Sequence, residues 1–362
     1  MSDSSREEIV SLVDNTFDVV HLEYTPSLLL FQLSDDVNYK SKFIQLCHIL
    51  DKKNLIAKLE RAPDSTNLYL QIFKTPPIKS KKISRAWIQR ILFIIVVTFV
   101  MIDGYSRSMI PIQAGFGSDP IQMAILYTIT MLGILGTHEA GHLIAAKFHK
   151  VKSSWPYFIP GIPIYGFPTF GAFIRTRGVI INRNILFDIA ISGPITGFIV
   201  IVLVTFSGVY LLPTHDQILQ QQVPIPIDSS QGTPLLIMGV LALTGRESNI
   251  VWISVSPILF AAWFGCLLTF LNLLPAWQLD GGHMARTILS GKLHQYATYA
   301  SAGILFLLGY YVMAMMVILF NTRRNDSVTL DDVTRLSKNR YLLFILVGIM
   351  GILCVPFPVW LL

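Results

Sequence analysis

Long apolar stretches recur along the chain, and they constrain its fold more than any other feature. An α-helix needs about 20 apolar residues to cross the hydrocarbon core of a bilayer. Six stretches reach roughly that length: 87–105, 121–147, 185–212, 251–274, 296–320 and 340–361. The 362 residues are 52% hydrophobic and only 14% charged, which is too apolar for an ordinary soluble protein. We therefore predict a polytopic α-helical membrane protein with about six transmembrane helices.

Residues 1–80 contrast with the rest, because they are charged and contain no apolar run long enough to span a bilayer. The segments "TFDVVHLEY" and "SLLLFQLS" are typical of strands, and "VNYKSKFIQLCHILDKK" has apolar residues at helical spacing. We predict a small cytoplasmic α+β domain over residues 1–80, followed by a transmembrane domain over residues 81–362.

Basic residues flank the apolar stretches unevenly, which indicates an orientation. They concentrate before the first span, at Lys79, Lys81, Lys82, Arg85 and Arg90, and after the second, at Lys147, Lys150, Lys152, Arg175, Arg177 and Arg183. The positive-inside rule then predicts a multi-pass cell-membrane protein whose N-terminus and 148–184 and 275–295 loops are cytoplasmic. The 321–339 loop is also basic, yet alternation of six spans places it outside. The net charge of +6 reflects orientation, and no nucleic-acid partner is expected.

Three ionisable residues, His138, Glu139 and His142, interrupt the second apolar stretch. On a helix, residues i and i+4 share a face, so the two imidazoles can bind one Zn²⁺ ion. Glu139 can reach a water molecule at that metal without ligating it, as in the H-E-x-x-H pattern of zinc proteases. A polar helix end facing an aqueous loop is the alternative. A charge at the centre of a membrane helix costs about 2.5–3.5 kcal/mol, which favours a partnered metal site.

A catalytic zinc ion usually takes three protein ligands, so a third is needed. The candidates near apolar stretches are Asp103, Asp188, Glu247, Asp280 and His283. Asp280 and His283 are on the same predicted side as His142. Asp280 is favoured because Pro275 and the Gly281–Gly282 pair break the helix around it, which lets a short side chain turn inward. His283 is interpreted as a surface residue or one that supports the ligands.

Four motifs together resemble the site-2 protease family of intramembrane zinc metalloproteases. They are "HEAGH" (138–142), "NLLPAWQLDGG" (272–282), "FPTFGAFIRTR" (167–177) and "DIAISGPITGF" (188–198). The resemblance covers about residues 87–320 and is strongest to six-span archaeal-type members and related plant plastid proteins. No insert resembling a PDZ domain is found, and the N-terminal α+β domain does not match the family pattern.

The resemblance implies a function for each motif residue. His138, His142 and Asp280 would ligate one Zn²⁺ per chain, near the cytoplasmic side. Glu139 would activate water, and Asn272 would face the site and help to hold the scissile carbonyl. The family cleaves single-span or otherwise membrane-anchored proteins in or beside their transmembrane segments, so we expect such a substrate within the lipid bilayer.

The segment "YFIPGIPIYGFPTFGAFIRTR" (157–177) is too rich in proline and glycine to be a helix. We predict a re-entrant β-like hairpin whose edge pairs with an extended substrate, and an ordinary cytoplasmic loop is the alternative. Gly193 and Gly197 form a pair of small residues four apart, which predicts close helix packing, close approach to the metal site, or both.

Other functions of a membrane metal site are possible in principle. A zinc or other metal-ion transporter would use the histidines as a transit site, but no internal repeat is found and a glutamate between the histidines favours hydrolysis. A second metalloprotease class would take its third ligand from a following helix, and no such pattern follows HEAGH. A metal-bound receptor would not need Glu139. We therefore predict an intramembrane zinc metalloendopeptidase.

Overall fold

The structure is a computed structural model, and it describes residues 3–25, 28–34, 38–61, 67–74, 86–113, 119–164, 167–174, 180–212, 232–246, 256–276, 279–289, 291–321, 329–331 and 333–357. The chain divides into two compact units. The first comprises Met1–Ile83, Val179–Leu186 and Asp326–Ser337, and the second comprises the remaining chain. The predicted domain boundary at residue 80 and the basic segment before the first span lie outside the described residues.

The first unit is a four-stranded antiparallel sheet covered by helices. Its elements are α1 (Asp3–Asp14), β1 (Val19–Tyr24), β2 (Leu28–Leu33), α2 (Tyr39–Lys52), β3 (Leu55–Arg61) and β4 (Leu68–Lys74), with strand order β1-β2-β4-β3. Alternate residues of β2, β3 and β4 are buried, as expected for a sheet with one covered face. Strands β1 and β2 and helix α2 lie where the sequence predicts them, whereas α1 was not predicted.

Two distant segments extend this sheet at its β3 edge. The Leu59 amide donates to the Leu330 carbonyl at 2.8 Å, and the Leu330 amide donates to the Ile180 carbonyl at 3.0 Å. The Asp331 amide also donates to Ile181, at 2.7 Å. An open strand edge carries unpaired backbone groups, and these two segments cover it. The first unit is therefore built from three separate parts of the chain.

Helices dominate the second unit. They are α3 (Ala86–Gln113), α4 (Pro120–Phe148), α5 (Arg183–Tyr210), α6 (Leu235–Leu243), α7 (Pro257–Leu273), α8 (Asp280–Ile288), α9 (Gly291–Leu307), α10 (Tyr311–Asn321) and α11 (Lys338–Cys354). Among the described residues, α3, α4 and α5 are long and apolar enough to cross a membrane, and α7 is a shorter apolar helix. The chain is thus a mainly helical membrane protein with a small strand-containing region.

The apolar stretch 296–320 is not one continuous helix. It is divided into α9 and α10, which pack against each other and are joined by residues 308–310. Gly309 has φ +85° and the Tyr310 amide donates to the Leu305 carbonyl at 2.8 Å, which is the pattern of a helix ended by a left-handed glycine. Hydropathy alone could not reveal this turn, because apolar residues continue on both sides of it.

A short antiparallel hairpin follows α4. It consists of β5 (Tyr157–Pro160) and β6 (Thr169–Phe173), as the proline- and glycine-rich sequence predicts. A second short pair joins β7 (Thr233–Pro234) to β8 (Pro356–Phe357), which follows α11. The first hairpin packs against α3 and α4. It therefore lies beside the helix that carries the HEAGH sequence.

Candidate metal centre

Three side chains from two helices converge near the C-terminal half of α4. The Nε2 atoms of His138 and His142 are 3.3 Å apart, and each lies close to Oδ2 of Asp280, at 3.2 and 3.3 Å respectively. The three donor atoms form a nearly equilateral triangle. Asp280 is 142 residues from His138, so the fold closes the group that the sequence predicts.

The triangle fits a zinc ion. Zinc in proteins is tetrahedral, with ligand bonds of roughly 2.0–2.1 Å, so neighbouring ligand atoms are about 3.3 Å apart. Two imidazoles and one carboxylate are also a donor set that zinc accepts. Among the residues that the structure describes, this is the group that brings three potential metal ligands together. His138, His142 and Asp280 are therefore able to hold one metal ion.

Glu139 lies next to this triangle on the same helix. It is buried, with 7% of its surface exposed, and its charge interacts with His138, His142 and Asp280. Successive helix residues point about 100° apart, so Glu139 does not share the face of the two histidines. A carboxylate in this position is able to accept a proton beside the metal ligands without becoming one of them.

Helix α5 orients the second histidine. The Nδ1 atom of His142 lies 2.7 Å from the Ile189 carbonyl, to which it can donate a hydrogen bond. A proton on Nδ1 leaves Nε2 free to ligate a metal, and such backbone partners are common behind metal-binding histidines. Sequence reasoning missed Ile189, because a backbone carbonyl carries no residue-type signal.

Two glycines of α5 make this approach possible. A Cβ atom on Gly193 would lie 2.2 Å from Nε2 of His142, and one on Gly197 would lie 3.2 Å from Cβ of His138. Gly193 therefore leaves the space that the imidazole occupies. The Thr196 hydroxyl also donates to the Thr137 carbonyl across the two helices, at 2.8 Å. Both predicted properties of the glycine pair, close packing and close approach to the site, are confirmed.

Asn272 and the start of α8 complete the surroundings. Nδ2 of Asn272 lies 3.4 Å from Nε2 of His138, near the end of α7. A Cβ atom on Gly281 would lie 2.1 Å from the Leu273 carbonyl, so only glycine permits the chain to turn here and present Asp280. The break that the sequence predicts is present before Asp280, between α7 and α8 on the Pro275 side, whereas Gly281 and Gly282 do not break the helix but lie in the first turn of α8.

The other candidate ligands lie elsewhere. Asp103 is buried in contact with Arg107 and Tyr127, and Asp188 pairs with Arg340 and His149. His283 is partly buried in α8 and is not one of the three converging ligands. Glu247 lies outside the described residues. Among the candidates that the structure describes, Asp280 is thus the one that lies beside both histidines.

Comparisons with known proteins agree with this geometry. The model for Peptidase family M50 matches residues 126–317. The probable zinc metalloprotease EGY1, chloroplastic, of Arabidopsis thaliana is 31% identical over 258 residues, which cover 67% of this chain and 46% of that protein. The probable zinc metalloprotease EGY2, chloroplastic, is 28% identical in Arabidopsis thaliana over 62% of this chain and 40% of that protein.

The EGY2 protein of Oryza sativa subsp. indica is likewise 28% identical, over 62% of this chain and 41% of its own length. The chain therefore spans less than half the length of these three relatives. No solved structure matches the chain.

Proposed function

This chain belongs to peptidase family M50, and on that basis we propose that it is an intramembrane zinc metalloprotease that cleaves membrane-anchored proteins in or near their transmembrane segments. The observation that carries this proposal is the triangle formed by His138, His142 and Asp280, with Glu139 beside it. The chemistry of this group is that of a metal-assisted hydrolase. The proposed substrate is a single-span or similarly anchored protein.

Each residue of the site has a distinct task in this mechanism. A zinc ion bound by the two histidines and Asp280 would supply Lewis acidity and lower the pKa of water towards about 7. Glu139 accepts the proton of the attacking water and delivers it to the leaving amine. Asn272 donates a hydrogen bond from Nδ2 to the oxygen of the scissile carbonyl as charge develops there. The Ile189 carbonyl keeps His142 in one tautomer throughout.

The substrate must be extended at the scissile bond, because a helix hides its carbonyl groups in hydrogen bonds. The β5–β6 hairpin supports a way to achieve this. A two-stranded sheet leaves an open edge on each strand, and an extended peptide can pair with such an edge. A Cβ on Gly171 in β6 would lie 3.5 Å from Leu268, one helical turn before Asn272. We propose that the substrate lies along β6 on its way to the metal.

Contacts within the second unit support a membrane topology. Arg340 at the start of α11 forms a bidentate ion pair with Asp188 near the start of α5. Its Nε atom donates to Oδ1 at 2.7 Å, and its Nη2 atom donates to Oδ2. The other end of α11 leads into β8, which pairs with β7 beyond the end of α5. These two contacts support a topology in which α5 and α11 cross the membrane in the same direction.

In that topology the start of α11, and with it the 321–339 loop, lies on the same side of the membrane as the metal ligands. Helix α10 has 11 residues and is about 16 Å long, roughly half of the hydrocarbon core. We propose that α9 and α10 enter the membrane and return, so that five of the six apolar stretches cross it. The basic 321–339 loop then obeys the positive-inside rule, with the N-terminus and the active site cytoplasmic.

One experiment tests the proposed function. The protein is purified in detergent, its zinc content is measured, and cleavage of a panel of single-span substrates is followed. We expect Glu139→Gln to keep one zinc ion and to lose about 10²–10⁴-fold in cleavage rate. His142→Ala should lose both zinc and cleavage. Glu60→Gln in β3 makes the same chemical change away from the site and should leave both unchanged.

Zinc flux into liposomes that survives Glu139→Gln, without cleavage by the parent protein, would instead identify a transporter. Full cleavage by Glu139→Gln would refute the role of Glu139 as the base.

A further inference from the structure

Asp103 is a buried carboxylate that the metal site does not use. Its side chain is 0% exposed, although it lies in α3, a helix apolar enough to span a membrane. Oδ2 accepts hydrogen bonds from Nε of Arg107 and from the hydroxyl of Tyr127, each at 2.8 Å. Oδ1 accepts a third bond, from the backbone amide of Ile164 at 3.0 Å. Charges buried in such helices are costly and usually serve a function.

The third bond reaches the tip of the β5–β6 hairpin. Ile164 has φ +72°, a left-handed conformation that β-branched residues strongly disfavour. Such strain persists where surrounding contacts hold the backbone in place. The Ile164 side chain is 49% exposed, so its own packing holds it only in part. The hydrogen bond from the Ile164 amide to Asp103 therefore fixes a strained turn at the tip of the hairpin.

The partners of Asp103 are themselves fixed. The guanidinium carbon of Arg107 lies 3.3 Å from the centre of the Phe260 ring in α7, a cation–π contact. A Cβ on Gly104 would lie 2.4 Å from Cδ1 of Tyr127, so this glycine lets α3 and α4 approach closely. Asp103 thus joins the hairpin to three helices, α3, α4 and α7.

The cluster of Asp103, Arg107 and Tyr127 lies well away from the metal ligands. Tyr127 precedes His138 by 11 residues, which is about 16 Å along α4. From Tyr157 to Ile164 the hairpin can reach at most about 23 Å, at roughly 3.3 Å per extended residue. It is therefore held at its tip by a buried charge, while β6 passes one helical turn from Asn272.

We propose that Asp103 is a positioning residue, which holds the β5–β6 hairpin so that its open edge is ready to receive an extended substrate segment. This inference rests on the proposed proteolytic function. Asp103 acts through the hairpin and touches neither metal ligands nor substrate. A hydrogen bond from a backbone N–H to a charged acceptor is strong. Its loss should therefore shift the equilibrium between the held and the released hairpin tip about tenfold or more towards the released state.

The test combines a distance measurement with kinetics. Spin labels are attached at Ile162, 62% exposed in the hairpin, and at Ile144, 68% exposed in α4, in a background whose three cysteines are replaced by alanine. We expect one narrow distance distribution in the parent and a broad one after Asp103→Asn. For a single-span substrate, KM should rise about tenfold while kcat and zinc content change less than about twofold.

Two further variants separate positioning from folding. Ile164→Pro removes the tip N–H, and because proline cannot adopt φ +72° it also releases the strained turn. The Asp103–Arg107–Tyr127 cluster is left in place, so this variant should reproduce the Asp103→Asn effect even if Asp103→Asn does not fold. Combining the two should add little. Asp119→Asn makes the same change at the cap of α4 and should leave distances and KM unchanged.

An unchanged distance distribution and KM in Ile164→Pro would overturn the proposal, as would a loss confined to kcat. The distance measurement needs no cleavage. A parent protein that cleaves nothing would therefore refute the proposed function, while the spin labels would still decide whether Asp103 holds the hairpin.

Discussion

Gly193→Ala is the most informative single perturbation of the metal site. The added Cβ would lie 2.2 Å from Nε2 of His142 and 2.6 Å from its Cδ2 and Cε1 atoms. Ordinary contact needs about 3.4 Å or more between such atoms, so the ring must move by about 1 Å. The His142 nitrogen would then leave the triangle of 3.2–3.3 Å edges that it forms with His138 and Asp280.

The expected magnitude follows from that displacement. Loss of an outer-shell partner typically costs 10–100-fold in metal affinity, and here the ligand itself is moved. We expect zinc affinity to fall about 100-fold or more, which corresponds to about 2.7 kcal/mol. The assay is competition with a chelator of known affinity, with bound zinc measured by mass spectrometry.

Two glycine variants provide matched controls. Gly136→Ala lies in α4 two residues before His138 and would meet nothing within 4 Å, so it should bind zinc normally and gain up to about 1 kcal/mol in helix stability. Gly197→Ala, with its Cβ 3.2 Å from Cβ of His138, should have an intermediate effect. Normal zinc affinity in Gly193→Ala would refute this account of the site.

Three other outcomes can be checked independently. Arg340→Lys should lower the melting temperature nearly as much as Arg340→Gln, because an ammonium group cannot reproduce the two-pronged pairing with Asp188; equal stability of parent and Arg340→Lys would contradict this. Burial, assisted by Asp331, raises the pKa of the Cys47 thiol from 9.0 to about 12. Because the folded thiol keeps its proton, its stabilising contribution is complete below pH 9 and is lost towards pH 12; alkylation at pH 8 should be slow until the unit is denatured, and rapid native labelling would count against it. A compartment reporter inserted after Asn325 should give the same side as one at the N-terminus, and the opposite side from one after Gly245; opposite sides for the first two would restore six crossings.

The sequence predicts most of the site because its chemistry is local and rare. His138, Glu139 and His142 lie within one helical turn, so spacing alone places the two histidines on one face. Asp280 follows from the helix break that precedes it at Pro275, although Gly281 and Gly282, expected to break the helix as well, lie in the first turn of α8. The hydrogen bonds of His142 to the Ile189 carbonyl and of Asp103 to the Ile164 amide were not predicted. Each involves a backbone group, which every residue type except proline offers equally, so the sequence gives no signal for it.

The long helices α3, α4 and α5 are predictable because the length of an apolar run decides them. The division of 296–320 was missed, since Gly309 is a single turn signal inside a continuous apolar run. The extension of the N-terminal sheet by residues 180–182 and 329–331 was missed for another reason. Those strands are too short to carry an alternating pattern, and their partner is far away in sequence.

That extension has a consequence for synthesis of the protein. The Leu59 amide cannot form its hydrogen bond until the Leu330 carbonyl has been translated, roughly 270 residues later. At about 5–20 residues per second the β3 edge stays open for tens of seconds, while helix after helix enters the membrane. During that interval it is a ready template for pairing with another nascent chain. A protein truncated before Thr329 would keep this edge open permanently, so its N-terminal unit should recruit chaperones and aggregate even though all four strands are present.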